Sequence, residues 1–166
     1  MELNIHDLKD GINEYDLRET AEEIGFSSGE IKISGLIHSK VKVENLGEKI
    51  KVSGNIKTCV LLECSRCLEK FNHDINADFQ IVHIKNWIFK EGEIDKKRMD
   101  EDVLKGDILN IGDDIRQTII LEIPMKPVCI ENCKGLCSNC GKNLNIEKCG
   151  CKFERESPFK GIRLQR

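Results

Sequence analysis

Six cysteines fall within 23 residues, spaced Cys129-x3-Cys133-x3-Cys137-x2-Cys140-x8-Cys149-x-Cys151, and two more stand upstream as Cys64-Ser65-Arg66-Cys67. Zinc takes four thiolates tetrahedrally at about 2.3 Å, and a C-x2-C or C-x-C turn presents two of them together. Cys137-Ser138-Asn139-Cys140, followed by Gly141 for a tight turn, is one such element, and Cys149-Gly150-Cys151 is another. The seven residues KNLNIEK between them are enough to double back, so Cys137, Cys140, Cys149 and Cys151 are read as a first zinc site. Buried free thiols are the competing reading, but core cysteines usually occur singly and these are too dense for that.

Cys64, Cys67, Cys129 and Cys133 remain, and they suggest a second zinc site joining the upstream pair to the Pro-rich segment. The alternatives are strand-end thiols or a redox pair. The redox alternative is weaker because Cys64-x2-Cys67 opens no helix whose dipole would lower a thiol pKa. Cys59 is left as a spare, packed in a strand. Both sites would be saturated by protein ligands, whereas zinc catalysis needs an open position for water. They therefore read as structural, with two Zn²⁺ ions as the cofactors. No Gly-rich phosphate loop, nucleophile elbow or acid–base pair accompanies them, so an enzyme is not expected, nor a small-molecule substrate. His38, His73 and His83 fall in strand patterns as surface or packed imidazoles, and His6 lies near a fraying terminus.

The elements that must hold these thiols are mostly strands. From Ile31 to Val43 the odd positions are largely apolar, Asn45-Leu46-Gly47 reads as a turn, and from Ile50 to Leu62 the even positions take over. A third run places Phe71, Ile75, Ala77, Phe79 and Ile81 on one face. Period-two alternation between turn signals predicts an antiparallel meander with one buried face. The Cys64–Cys67 knuckle then lies between its second and third strands, and Gly54 marks a bend or bulge. Leu17, Ala21 and Ile24 predict a short helix over 16–24. Residues 85–106 read as a charged linker or weak helix. Residues 107–123 read as a short strand and a helix capped by Asp113 or Asp114, with Ile115, Ile119 and Ile123 inward and Pro124 and Pro127 as the stop.

At 166 residues the chain can bury a real core. Its opening lacks the basic and apolar regions of a signal peptide, and no stretch nears the ~20 apolar residues of a membrane span. With nine cysteines suited to a reducing compartment, the expected setting is the cytoplasm. The formal charge of −3 is uneven: residues 124–166 hold nine Lys and Arg against four Asp and Glu, while residues 1–123 hold 17 against 25. The C-terminal part can meet an anion such as RNA, while the rest would be repelled by one. The tail KFERESPFKGIRLQR, with Phe153 and Phe159, is either a solvated tail or an RNA-contacting arm. Candidate contacts to RNA or another partner are Arg66, Lys126, Lys134, Lys152, Arg155, Lys160 and Arg163.

The stretch Leu61-Leu62-Glu63-Cys64-Ser65-Arg66-Cys67-Leu68-Glu69-Lys70-Phe71 resembles the C-x-R-C-L-x-x-F signature of the YceD-like family, the bacterial large ribosomal RNA subunit accumulation proteins. Asp107-Ile108, Arg116-Gln117, Leu121 to Cys129, Cys133 to Asn145 and the ending Ser157-Pro158-Phe159 agree with it in order. The resemblance implies a non-enzymatic factor needed for accumulation of 23S rRNA and the large subunit, acting on precursor rRNA, a ribosomal protein, or both. Some members lack the Cys137/Cys140/Cys149/Cys151 cluster, which implies an addition to a shared core around Cys64–Phe71 and Pro124–Cys133. The expected architecture is α+β: a β-rich domain over 1–128 with a few flanking short helices, a zinc-knuckle module over 129–151 and a basic tail over 152–166. A zinc-stabilised protein–protein adaptor with no RNA contact is the alternative function.

Overall fold

The computed structural model describes residues 2–9, 11–26, 31–85, 101–104 and 106–151. Its elements are β1 (Glu2–Asn4), a 3-10 turn (Ile5–Asp7), β2 (Gly11–Glu19), β3 (Lys32–Ile33), β4 (Ile37–Asn45), β5 (Lys49–Glu63), β6 (Lys70–Ile84), β7 (Glu101–Val103), β8 (Ile108–Asn110) and α1 (Ile111–Glu122). The main sheet has the order β2-β4-β5-β6-β7, with β3 also on β5, and β1 pairs with β8 in a separate ribbon. All pairings are antiparallel except β6–β7. The fold is α+β, mostly antiparallel sheet with one α-helix among the described residues.

The alternation read from the sequence is the reason for this sheet. Ile37, Val41 and Val43 of β4, Ile50, Val52, Ile56 and Val60 of β5, and Ile75, Ala77 and Phe79 of β6 are all buried. Against them pack Ile111, Ile115 and Ile119 of α1 and Leu109 of β8. Each buried isoleucine contributes about 1.5–3 kcal/mol over an exposed one. The hairpin between β4 and β5 turns at Asn45-Leu46-Gly47, where Gly47 takes φ +79° and Leu46 N–H donates to the Lys49 carbonyl at 2.8 Å. Antiparallel pairing of β5 with β6 runs from Lys49↔Ile84 to Glu63↔Lys70. That 15-residue ladder ends at the Cys64–Cys67 turn.

Several expectations need correction. The helix over 16–24 is not formed: residues up to Glu19 are strand β2, paired with β4 from Gly11↔Asn45 to Glu19↔Ile37. The helical signal had a local source. Thr20 N–H and Oγ1 bond the Glu23 carboxylate at 2.7 and 3.0 Å, as at a helix start, but Gly25 at φ +82° ends the turn at once. Ile24 and Phe26 enter the core from it. Gly54 marks no bulge, because register is continuous through Val41↔Gly54↔Phe79. It is needed for close approach, since a Cβ there would lie 2.3 Å from the Lys40 carbonyl oxygen.

The cap of α1 is Asn110, whose Oδ1 accepts the Asp113 N–H at 3.4 Å. Asp114 is instead buried, 2.9 Å from Nε2 of the buried His83, tying α1 to β6. The inward stripe of α1 accordingly starts at Ile111, and Ile123 is a half-buried C-cap. His6 stands in the 3-10 turn, 3.5 Å from Asp107, where β1–β8 pairing holds the chain in place. The charged stretch 85–106 falls mostly outside the described residues; Glu101–Val103 within it is strand.

Candidate metal centre

The β5–β6 connection is a knuckle. Leu68 N–H donates to the Cys64 carbonyl and Cys64 N–H to the Glu69 carbonyl, each at 2.9 Å, and Leu68 takes φ +61° to close the turn. This folds Cys64 and Cys67 toward one point. The segment after α1 comes to meet them: Ser65 N–H donates to the Pro127 carbonyl at 2.8 Å, and Leu136 N–H to the Arg66 carbonyl at 3.1 Å. Gly135 packs on that strand-end loop, and a Cβ on it would lie 2.9 Å from the Arg66 carbonyl oxygen. Cys129 and Cys133 thereby join the first pair.

The sulfurs of Cys64, Cys67, Cys129 and Cys133 all lie within 4.8 Å of one another, and so do those of Cys137, Cys140, Cys149 and Cys151. Cys64–Cys133 is 3.7 Å, Cys67–Cys129 3.6 Å and Cys137–Cys149 3.4 Å. A disulfide would need about 2.05 Å. Four thiolates tetrahedral about zinc at about 2.3 Å stand about 3.8 Å apart. The spacing fits a shared cation and not a covalent pair, and all nine cysteines are free.

Electrostatics give the same fit. Burial works against ionising Cys64, but the N–H groups of Cys129, Cys67 and Arg66 outweigh it and hold the thiol down at about 6. So the amides of Cys129 and of the knuckle lower a thiol pKa where no helix is present, which removes the dipole argument raised from the sequence. Burial and then the thiols of Cys67, Cys133 and Cys64 push Cys129 up to about 12. In the other group the N–H groups of Cys140 and Asn139 hold Cys137 at about 6, while the Cys140 side chain and burial push Cys151 up to about 11. Each group ionises in part readily and resists further charge. A divalent cation supplies the compensation that full deprotonation requires. The two groups can each hold a metal ion, and an all-thiolate tetrahedral set suits zinc.

The Cys137 group is built on a second knuckle: Gly141, at φ +72°, donates its N–H to the Cys137 carbonyl at 2.9 Å. The following loop doubles back through Cys137 N–H to the Lys142 carbonyl at 2.8 Å and a Lys142–Glu147 ion pair at 3.0 Å. Cys59 joins neither group. It is half-buried opposite Asp74 on β6, and burial first, then Asp74, raises its pKa. His83 is the packed imidazole described above.

Of the candidate contact residues, Arg66 is exposed but already engaged. Its guanidinium donates to the Cys133 carbonyl at 2.9 Å and reaches that of Glu131 at 3.5 Å. Lys126 and Lys134 are exposed, three residues before Cys129 and next to Cys133 in the sequence. Lys152, Arg155, Lys160 and Arg163, with the rest of the tail, lie outside the described residues. Sequence reasoning missed Asn145, whose Nδ2 donates to Cys133 Sγ at 3.2 Å. Its only signal was a side-chain amide in a loop between two ligand pairs. No helix among the described residues is long and apolar enough to cross a membrane.

The chain is similar to a maize protein named large ribosomal RNA subunit accumulation protein YCED homolog 1, chloroplastic, with 27% identity over 89% of this chain and 62% of the relative. The Arabidopsis thaliana protein of the same name is 29% identical over 72% of this chain and 45% of its own length. An uncharacterized Mycobacterium tuberculosis protein is 27% identical over 87% of this chain and 68% of its own. The chain thus spans less than two thirds of the length of both plant relatives. No solved structure matches. The family model described as large ribosomal RNA subunit accumulation protein YceD matches residues 52–164, more than half of the sequence and both cysteine groups, so the chain belongs to the YceD family.

Proposed function

We propose that this protein is a non-enzymatic, cytoplasmic ribosome-biogenesis factor that supports accumulation of 23S rRNA and the large ribosomal subunit, with two zinc ions as structural scaffold. The observation that carries the reading is the family match over residues 52–164. The names of the maize and Arabidopsis relatives support the same role. Four thiols in each group favour a scaffold, since no ligand position is left for a catalytic water. The partner in this reading is precursor rRNA of the large subunit, a ribosomal protein, or both. Lys126, Lys134 and the basic tail are the contact residues, Arg66 being engaged with the Cys133 and Glu131 carbonyls.

Charge favours a second reading, an adaptor that touches protein only. A four-thiolate zinc site carries −2, so filling both groups takes the formal −3 to about −7. That suits a basic protein better than a phosphate backbone.

A gradient profile of depleted cells, with the protein's own sedimentation followed alongside, tests the role. Loss of 23S rRNA and large subunits, with the protein on precursor particles, is the expected result. A normal ribosome profile with the protein only in soluble fractions contradicts it. Deleting 152–166 separates the readings: RNA binding through the tail disappears, while binding to a protein partner survives.

A further inference from the structure

Asn145 belongs to the loop between Cys140 and Cys149, yet its side chain serves the other cysteine group. Nδ2 donates one hydrogen to Cys133 Sγ at 3.2 Å and the other to Asn143 Oδ1 at 2.9 Å. Oδ1 accepts the Lys134 N–H at 2.8 Å, and Asn143 Oδ1 also takes the Asn145 backbone N–H at 3.0 Å. The carboxamide is held at both ends, so its orientation toward the sulfur is fixed. Its loop is in turn laid on residues 135–137 by Leu144 N–H to the Gly135 carbonyl at 2.9 Å and Cys137 N–H to the Lys142 carbonyl at 2.8 Å. A thiolate that accepts an amide N–H is stabilised in its metal-binding form. Outer partners of this kind are worth roughly 10–100-fold in metal affinity.

We infer that the two metal sites are energetically coupled through Asn145. Metal in the Cys137/Cys140/Cys149/Cys151 group fixes the loop that carries Asn145, and Asn145 then strengthens the hold of Cys133 and its three partners on their own metal. By linkage the effect is reciprocal. Asn145 is a positioning residue and not a ligand. The inference rests on the metal reading of both groups.

Chelator competition on the full chain loaded with Zn²⁺ tests it, with the buried site identified as the equivalent lost in Cys64→Ser. Asn145→Asp keeps the acceptor for Lys134 N–H and removes the donor to sulfur; Asn145→Ala removes both without adding charge. Each should weaken the buried site roughly 10–100-fold. With Co²⁺ in place of zinc, its sulfur-to-metal absorption band should shift, which a loss of folding alone would not produce. Cys140→Ser should weaken the buried site by a similar factor, and Asn145→Ala added to Cys140→Ser should bring little further loss. Unchanged affinity of the buried site in all these variants would overturn the coupling while leaving two metal sites standing. Fewer than two Zn²⁺ per wild-type chain would overturn the metal reading, and the coupling with it.

Discussion

The two cysteine groups gather the same four ligands from very different stretches of chain. Cys64 and Cys133 are 69 residues apart and Cys67 and Cys129 are 62 apart, while Cys137 and Cys149 are separated by only 12. Cys64, Cys67 and Cys133 are buried beside Phe71, Val128 and Leu136. In the second group Cys140 is exposed, and only Cys137 is buried. A link across a long loop restricts the unfolded chain far more than a link across a short one. With a metal ion bound, the Cys64 group would therefore tie the end of the β5–β6 ladder to the segment after α1. The Cys137 group would order a local loop with few apolar residues of its own: Leu144 is half-buried and Ile146 is 77% exposed.

Substitutions can break or sharpen that contrast. Cys64→Ser should have the largest effect on the folded body. It should lose one zinc equivalent and about 2–5 kcal/mol of stability, the range for removing a crosslink from a small domain. Hydrogen exchange should rise at both the β5–β6 turn and residues 127–136. Gly54→Ala, which drives a Cβ to 2.3 Å from the Lys40 carbonyl oxygen, should cost roughly 1–3 kcal/mol in denaturant unfolding. Both zinc equivalents should stay bound, and their loss would mean that sheet and metal groups are not separable. Arg66→Ala, which removes the bonds to the Cys133 and Glu131 carbonyls, should cost about 1 kcal/mol because the side chain is exposed. Cys140→Ser should lose the other zinc equivalent and raise exchange over 137–151, with a smaller fall in the sheet's unfolding midpoint than Cys64→Ser gives, because the buried site is weakened and not lost. A large drop in that midpoint would erase the distinction between the groups.

The strands were legible because their burial pattern is written in period two, from Ile37 to Val43 and again from Ile50 to Val60. The grouping of the thiols was legible because short C-x2-C and C-x-C turns pair three sets of sulfurs by local geometry, which left Cys129 and Cys133 to the Cys64 pair by elimination. What stayed hidden depended on contacts distant in sequence. Leu17, Ala21 and Ile24 keep helical spacing, but pairing of β2 with β4 decides the backbone of 11–19. Gly54 looks like a bulge until the Lys40 carbonyl across the ladder is known. Asp114 looks like a cap until His83, from another element, claims it. Arg66 reads as a free cation for RNA, and only the fold turns its guanidinium onto the carbonyls around Cys133.

Native mass spectrometry of the full chain tests most directly the claim of two separate four-thiolate sites. The wild type should carry two zinc ions in place of eight thiol protons, Cys64→Ser and Cys140→Ser one ion each, and the double variant none. If both single variants lost the same single ion, or the wild type bound only one, the two-site account would be wrong.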